Sequence, residues 1–227
     1  MKKNKLLLHK QILAAVLSGG ILLLPNWGYA LPQGGQVVAG TGSIGTPGGD
    51  QMNITGSGNV AIDWNSFNVA QGESVKFSGM QAVLNYVTGN TKSEIFGNIS
   101  GSGVHVFLVN PNGILFGATA SVNVGELTAS TRTIDNRKSF DGTAFSTLSP
   151  EAAQKVRGDI INLGELTADK ILLEGDNISL LNAHMLKSSG NGNITLRADN
   201  KVTVGYEVTD KTTINVGDDA PGGHTVS

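Results

Sequence analysis

The chain has no cysteine, so no disulfide staples it and no thiolate is available as a nucleophile or zinc ligand. Such a chain must be held by its core and hydrogen bonds alone. Charge is sparse, with 15% of residues ionisable, and aromatics make up only 5%. No basic run follows the first residues, which removes the electrostatic footprint expected of a nucleic-acid binder. Long amphipathic helical stretches are missing as well. So is any apolar run long enough to span a bilayer: the longest, Ile12–Leu24, is 13 residues, whereas a span needs about 20.

That run lies in a segment that reads as a leader. Lys2, Lys3, Lys5 and Lys10 precede it, Pro25 ends it, and Gly28-Tyr29-Ala30 places small residues where a signal peptidase reads them. Residues 1–30 are therefore expected to be a signal peptide cleaved between Ala30 and Leu31. Removing four lysines from 16 basic residues leaves 12 against 18 acids, a net charge of −6 for residues 31–227. That remainder suits one domain.

What remains is rich in turn formers, with 28 glycines and 18 asparagines after Ala30, both tolerant of unusual backbone angles. Between them stand short apolar runs such as Val60-Ala61-Ile62, Val104–Val109, Ile114–Phe116, Ile178–Leu181 and Val202-Thr203-Val204. Several alternate with polar residues at the period of a half-buried strand. The class is all-β. Gly125-Glu126-Leu127-Thr128-Ala129 recurs as Gly164-Glu165-Leu166-Thr167-Ala168, and Asn-Ile-(Ser/Thr) occurs at Asn53, Asn98, Asn177 and Asn193. Short strands closed by small polar corners suit a β-solenoid, with asparagines laddering at the corners. Periodicity alone leaves a sandwich open. One short helix is expected, N-capped by Ser149, opened by Pro150-Glu151, continued by Ala152–Arg157 and stopped by Gly158.

Chemistry-bearing residues are few. Gly40-Thr41-Gly42-Ser43-Ile44-Gly45 has the glycine spacing of a dinucleotide loop, but Thr46-Pro47-Gly48-Gly49 follows and opens no helix to hold a pyrophosphate. It reads as a glycine-rich turn. His105, His184 and His224 have no ligand-like spacing, and His105 between Val104 and Val106 is expected to face out of a strand. Asp218-Asp219 lacks the ordered ligand loop of a calcium site. No catalytic, cofactor-binding or metal-binding residue is assigned, and the chain is expected not to be an enzyme. The Asn-Ile-(Ser/Thr) sequences are formal glycosylation acceptors, explained equally by coil corners.

The most informative stretch is Val104-His105-Val106-Phe107-Leu108-Val109-Asn110-Pro111-Asn112-Gly113-Ile114-Leu115-Phe116-Gly117. Asn110 can bond the following backbone, Pro111 presets φ at the second turn position, Asn112 suits the third and Gly113 completes a type I turn. This stretch resembles the Asn-Pro-Asn-Gly-Ile hallmark of the two-partner-secretion domain of filamentous-haemagglutinin and high-molecular-weight adhesins, and Asn110, Pro111, Asn112, Gly113 and Ile114 reproduce it. Leu31–Gly35, Ile62–Val69 and Gly125–Thr131 resemble that family as well, so the likeness spans nearly all of Leu31–Ser227. A second family element, Asn-Pro-Asn-Leu, is replaced by Asn85, Tyr86, Val87 and Thr88, which looks like the variant of the adhesin branch.

The resemblance implies a right-handed parallel β-helix (a solenoid) with a few extra-helical strands and one short helix. It implies recognition by an outer-membrane β-barrel transporter with periplasmic polypeptide-transport-associated domains, and nucleation of β-helix folding outside the cell. The protein would be secreted via the periplasm to the medium or the cell surface, as part of an adhesin whose host receptor or glycan contacts regions beyond this chain. A contact-dependent growth-inhibition toxin shares such a domain and is the alternative. A polysaccharide-acting β-helix enzyme would need carboxylates stacked on one face, and the scattered acids give no such signature.

Overall fold

The computed structural model describes residues 30–143, 158–181, 186–188 and 193–204, together with the backbone of 207–209, 213–216 and 224–225. The expected signal peptide before Ala30, the expected helix at 149–157, His184 and Asp218-Asp219 lie outside the described residues.

The described strands stack as a parallel solenoid. β1 (Gln36–Ile44), β2 (Gln51–Trp64) and β3 (Ser74–Val87) are followed by β4 (Ser93–Ile95), β5 (Asn98–Val109) and β6 (Ile114–Phe116). β7 (Ser121–Ser130), β8 (Ile160–Asn162), β9 (Glu165–Ala168) and β10 (Lys170–Leu180) continue the wall. β11 (Leu186–Ser188) and β12 (Ile194–Val204) complete its parallel part, with short antiparallel strands at Glu207–Thr209 and Thr213–Val216 added to β12 and one at His224–Thr225 added to β11. β2, β3, β5, β7, β10 and β12 pair in parallel in that order, which gives six stacked coils.

Several strands are longer than the sequence suggests, because each bends mid-way and serves two walls. The register between β3 and β5 breaks between Lys76 and Ala82, and that between β5 and β7 between Gly101 and His105. Gly58, Gly79 and Gly103 sit near these bends at φ of 59°, 80° and 70°, a backbone region that side-chain-bearing residues avoid. The coil thus has three walls. The first runs through Gln51–Thr55, Ser74–Lys76, Asn98–Gly101, Ser121–Asn123, β9 and β11. The second runs through Asn59–Trp64, Ala82–Tyr86, His105–Val109, Glu126–Ser130, Lys170–Glu174 and Ile194–Arg197. β4, β6, β8 and Ile178–Leu180 make the third.

One apolar core fills the prism, built from alternate residues such as Ile54, Val75, Ile99, Val122, Leu166 and Leu186 on the first wall. A buried aliphatic side chain contributes about 1.5–3 kcal/mol, so each added coil is driven by its own inward set. The second wall is covered on its outer face too. Ile134 and Phe140, from the excursion after β7, pack over Ala61, Ala82, Leu84, Tyr86, Phe107 and Val109 with Val38 and Ala39 of β1. β1 runs antiparallel to β2 and stands outside the parallel stack, as the extra-helical expectation has it.

Two local expectations need correction, and one recurrence is placed. The Gly40–Gly45 segment is not a turn. It lies mostly within β1, where register shifts flank Ala39 and Gly40 takes φ 77°. The Asn-Ile-(Ser/Thr) sequences sit on strands or at their starts rather than at corners, because Ile54, Ile99, Ile178 and Ile194 must point inward, with at most 3% exposed. The two Gly-Glu-Leu-Thr-Ala copies do not stack on each other. Glu165-Leu166-Thr167 pairs with Ser121-Val122-Asn123, and Glu126–Ala129 pairs with Lys170–Leu173.

Candidate functional site

Asn110–Gly113 forms the corner between the second and third walls of the third coil. Gly113 N–H donates to Asn110 O across the turn at 3.0 Å. Asn112 has a negative φ, since among the described residues only glycines have positive values, and Gly113 takes φ 111°. That is the type I pattern read from the sequence.

Asn110 is fully buried, and every polar atom of its side chain is used. Its Oδ1 accepts from Asn112 N–H and from Asn112 Nδ2, each at 2.9 Å. Its Nδ2 donates to Thr91 O at 2.9 Å and to Ser93 Oγ at 3.0 Å, both in the preceding coil. Its backbone N–H donates to Ser130 O of the next coil at 2.9 Å. The corner is therefore a clamp across three layers. Asn112, exposed at the tip, adds a bond from Nδ2 to Gly89 O at 2.9 Å. Ile114 drops into the core and its N–H reaches Asp159 O at 3.0 Å. Gly158 lies so close to Asn112 and Gly113 that a side chain there would overlap their backbone.

The second candidate region ends the strand directly before the corner of the coil above. Asn85 is fully buried, accepts from Trp64 Nε1 at 3.1 Å and donates to Phe107 O at 3.2 Å. Tyr86 packs in the outer core beneath the Arg137 guanidinium, 4.4 Å from its ring centre, and burial raises its phenol pKa. Val87 is buried, and Thr88 fastens to Trp64 O through both N–H (2.8 Å) and hydroxyl (2.9 Å). The two regions, 25 residues apart between Asn85 and Asn110, thus become neighbouring layers, joined where Asn112 meets Gly89.

Ala30 and Leu31 sit at the opposite, N-terminal end. Leu31 is 1% exposed in the main core, and Gln33 exchanges backbone bonds with Ser66 and Asn65.

Sequence reasoning missed a polar row on the outer face of the second wall. His105 does face outward, as expected, but it is half-buried: it stacks on Phe107 at 3.9 Å, and its Nε2 lies 2.9 Å from Thr128 Oγ1. Glu126 lies 3.5 Å from its Nδ1. Burial lowers the His105 pKa; Glu126 opposes that and Lys170 adds to it. Two coils along, the buried Glu174 is held by Arg132 at 2.6 Å, Arg197 at 3.0 Å and Ser130 Oγ at 3.0 Å. These residues line a groove of about 480 Å³ floored by Phe107 and Leu172. Hydroxyl, imidazole and carboxylate stand in the order of a hydrolytic triad, but the surrounding strand amides pair in the parallel ladder rather than converging on Thr128 as an oxyanion hole. Cross-strand pairing registers would have located this row: His105 opposite Glu126, and Glu126 opposite Lys170. Among the described residues no group of three acidic or histidine side chains is placed to hold a metal.

Comparison with known proteins agrees with the coil architecture. A heme/hemopexin-binding protein of Haemophilus influenzae is 30% identical over 173 residues, 73% of this chain and 19% of its own length. A second such protein of that species is 36% identical over 108 residues, 46% of this chain and 12% of the relative. The chain thus spans less than a fifth of the curated relatives it matches. The crystal structure of the HMW1 secretion domain from Haemophilus influenzae superposes with a TM-score of 0.55 at 26% identity, covering 86% of this chain and 48% of that one. Residues 30–224 match the model of the TPS secretion domain, and the chain belongs to that family.

Proposed function

We propose that this chain is the export module of a larger adhesin-type exoprotein, with residues 1–30 as signal peptide and the solenoid from Leu31 onward as the part handled by a dedicated outer-membrane β-barrel. The family match over residues 30–224 carries this reading. TPS domains as a family are exported across the outer membrane with a barrel partner; periplasmic polypeptide-transport-associated domains are the expected point of capture here. Short β-forming segments suit capture in an extended state. Outside, each coil that closes over the last buries a further inward set, so folding of the first coils would oppose backsliding and template the rest.

Binding to a host receptor or glycan is assigned to sequence outside this domain. The relatives' heme/hemopexin binding belongs to proteins more than five times as long as the matched segments. The test is co-production with and without the cognate barrel. Folded chain should reach the medium or cell surface only when the barrel is present, with Leu31 as its first residue. Equal release in both strains contradicts the proposal.

A further inference from the structure

Glu73 is 4% exposed, yet among the described residues no lysine, arginine or histidine forms an ion pair with it. Its two oxygens are split. Oε2 accepts the N–H of Ala70 across the turn that closes the first coil, at 2.8 Å, and Oε1 accepts the N–H of Ala30, also at 2.8 Å. Its backbone is locked as well, with Glu73 N–H on Ala70 O at 3.0 Å and Asn98 N–H on Glu73 O at 2.9 Å. A rigid buried carboxylate therefore points one oxygen at the backbone beside the expected processing site. Hydrolysis of the Ala30–Leu31 bond leaves a carboxylate on Ala30, which departs, and an amine on Leu31, which takes up a proton. Departure of Ala30 strips Oε1 of its donor, and a buried carboxylate oxygen without a partner is strongly disfavoured. The new amine stands within one residue's length, about 3.8 Å, of the lost donor. It is held there because Leu31 is anchored in the core and Gln33 is tied to Ser66.

We propose that Glu73 is the binding site for the chain's own α-ammonium group, so that processing completes the cap over the first coil by forming a buried ion pair. The inference rests on the processing site proposed above. With Leu31 1% exposed, the scissile bond is out of a peptidase's reach in the folded coil, and cleavage must precede closure. The other charged groups on the surrounding turns and strands do not compete: Lys92 and Glu94 pair with each other at 3.0 Å, and Asp50 and Lys76 are exposed.

The experiment uses the full chain secreted in the presence of its barrel. Mass spectrometry reads the first residue, and the pH dependence of α-amine labelling by a small acylating reagent reads its ionisation. A free α-amine titrates near 8; the paired one should titrate at least one unit higher, making labelling at pH 8 at least about fivefold slower than in the unfolded chain. The sign for stability follows. A raised folded pKa gives stability that is complete below about pH 8 and lost as pH rises through the folded value. Glu73→Gln should return the labelling to its ordinary profile and remove that alkaline phase of the thermal midpoint. A chain starting at Leu31 whose amine labels as in the unfolded state overturns the pairing and leaves export intact. A first residue well away from Leu31 overturns the processing site itself. The unsubstituted protein decides both points even if Glu73→Gln does not fold.

Discussion

Asn110 and Asn112 carry the same side chain two positions apart, and their surroundings give them different weights. From the turn pattern alone, Asn110→Ala removes one acceptor at a cost of about 1 kcal/mol. The structure raises that figure, because the fully buried Asn110 side chain bonds buried Ser93 Oγ as well as Thr91 O and Asn112 N–H, and all three partners are lost together. Asn110→Ala should destabilise the domain by about 2–4 kcal/mol in denaturant unfolding, and Asn112→Ala, at the exposed tip, by about 0.5–1 kcal/mol. Gly113→Val forces a branched side chain to φ 111° with its Cβ 3.0 Å from Asp159 O, for roughly 2–3 kcal/mol. His105 predicts a pH effect. Burial lowers its folded pKa below 6.5, so the unfolded chain takes up the proton first and stability falls as pH drops below about 6.5. His105→Gln should flatten that acid limb in thermal melts at successive pH values; an unchanged limb would mean that other groups produce it.

At the scale of elements, the all-β class and the Asn-Pro-Asn-Gly turn were legible because both rest on local chemistry: period-two alternation, and residue types that match turn positions. The bends were not. Gly58, Gly79 and Gly103 look like turn glycines in a linear reading, yet they fold single strands of up to 14 residues around a corner of the prism. Nor could the sequence show that Gly-Glu-Leu-Thr-Ala occurs twice without stacking, since that follows from which strands pair between coils. The Glu174 cluster belongs to this scale, because it ties the base of that excursion, Arg132, to two coils. Glu174→Leu should cost about 3–5 kcal/mol by removing the buried carboxylate that Arg132, Arg197 and Ser130 Oγ share. Glu174→Leu combined with Arg132→Leu should recover much of that loss in the same unfolding assay. If the double variant is as unstable as the single one, the ion pair is not what fastens the excursion.

For the whole molecule, the proposed export route connects stability to secretion: on that proposal the chain passes a barrel unfolded, closes coil by coil outside, and is retained there by the burial it gains. The corner at Asn110–Gly113 clamps three layers, so its replacement should impair secretion by weakening that closure rather than by erasing a recognition surface. The most direct test follows secreted yield, thermal midpoint and binding to the barrel's periplasmic domains for Asn110→Ala, alone and combined with an unrelated stabilising substitution. The account predicts that yield falls with the midpoint and returns when the second substitution restores it, with binding to the periplasmic domains little changed. An Asn110→Ala chain that remains as stable as the parent, yet is neither bound nor secreted, would contradict it.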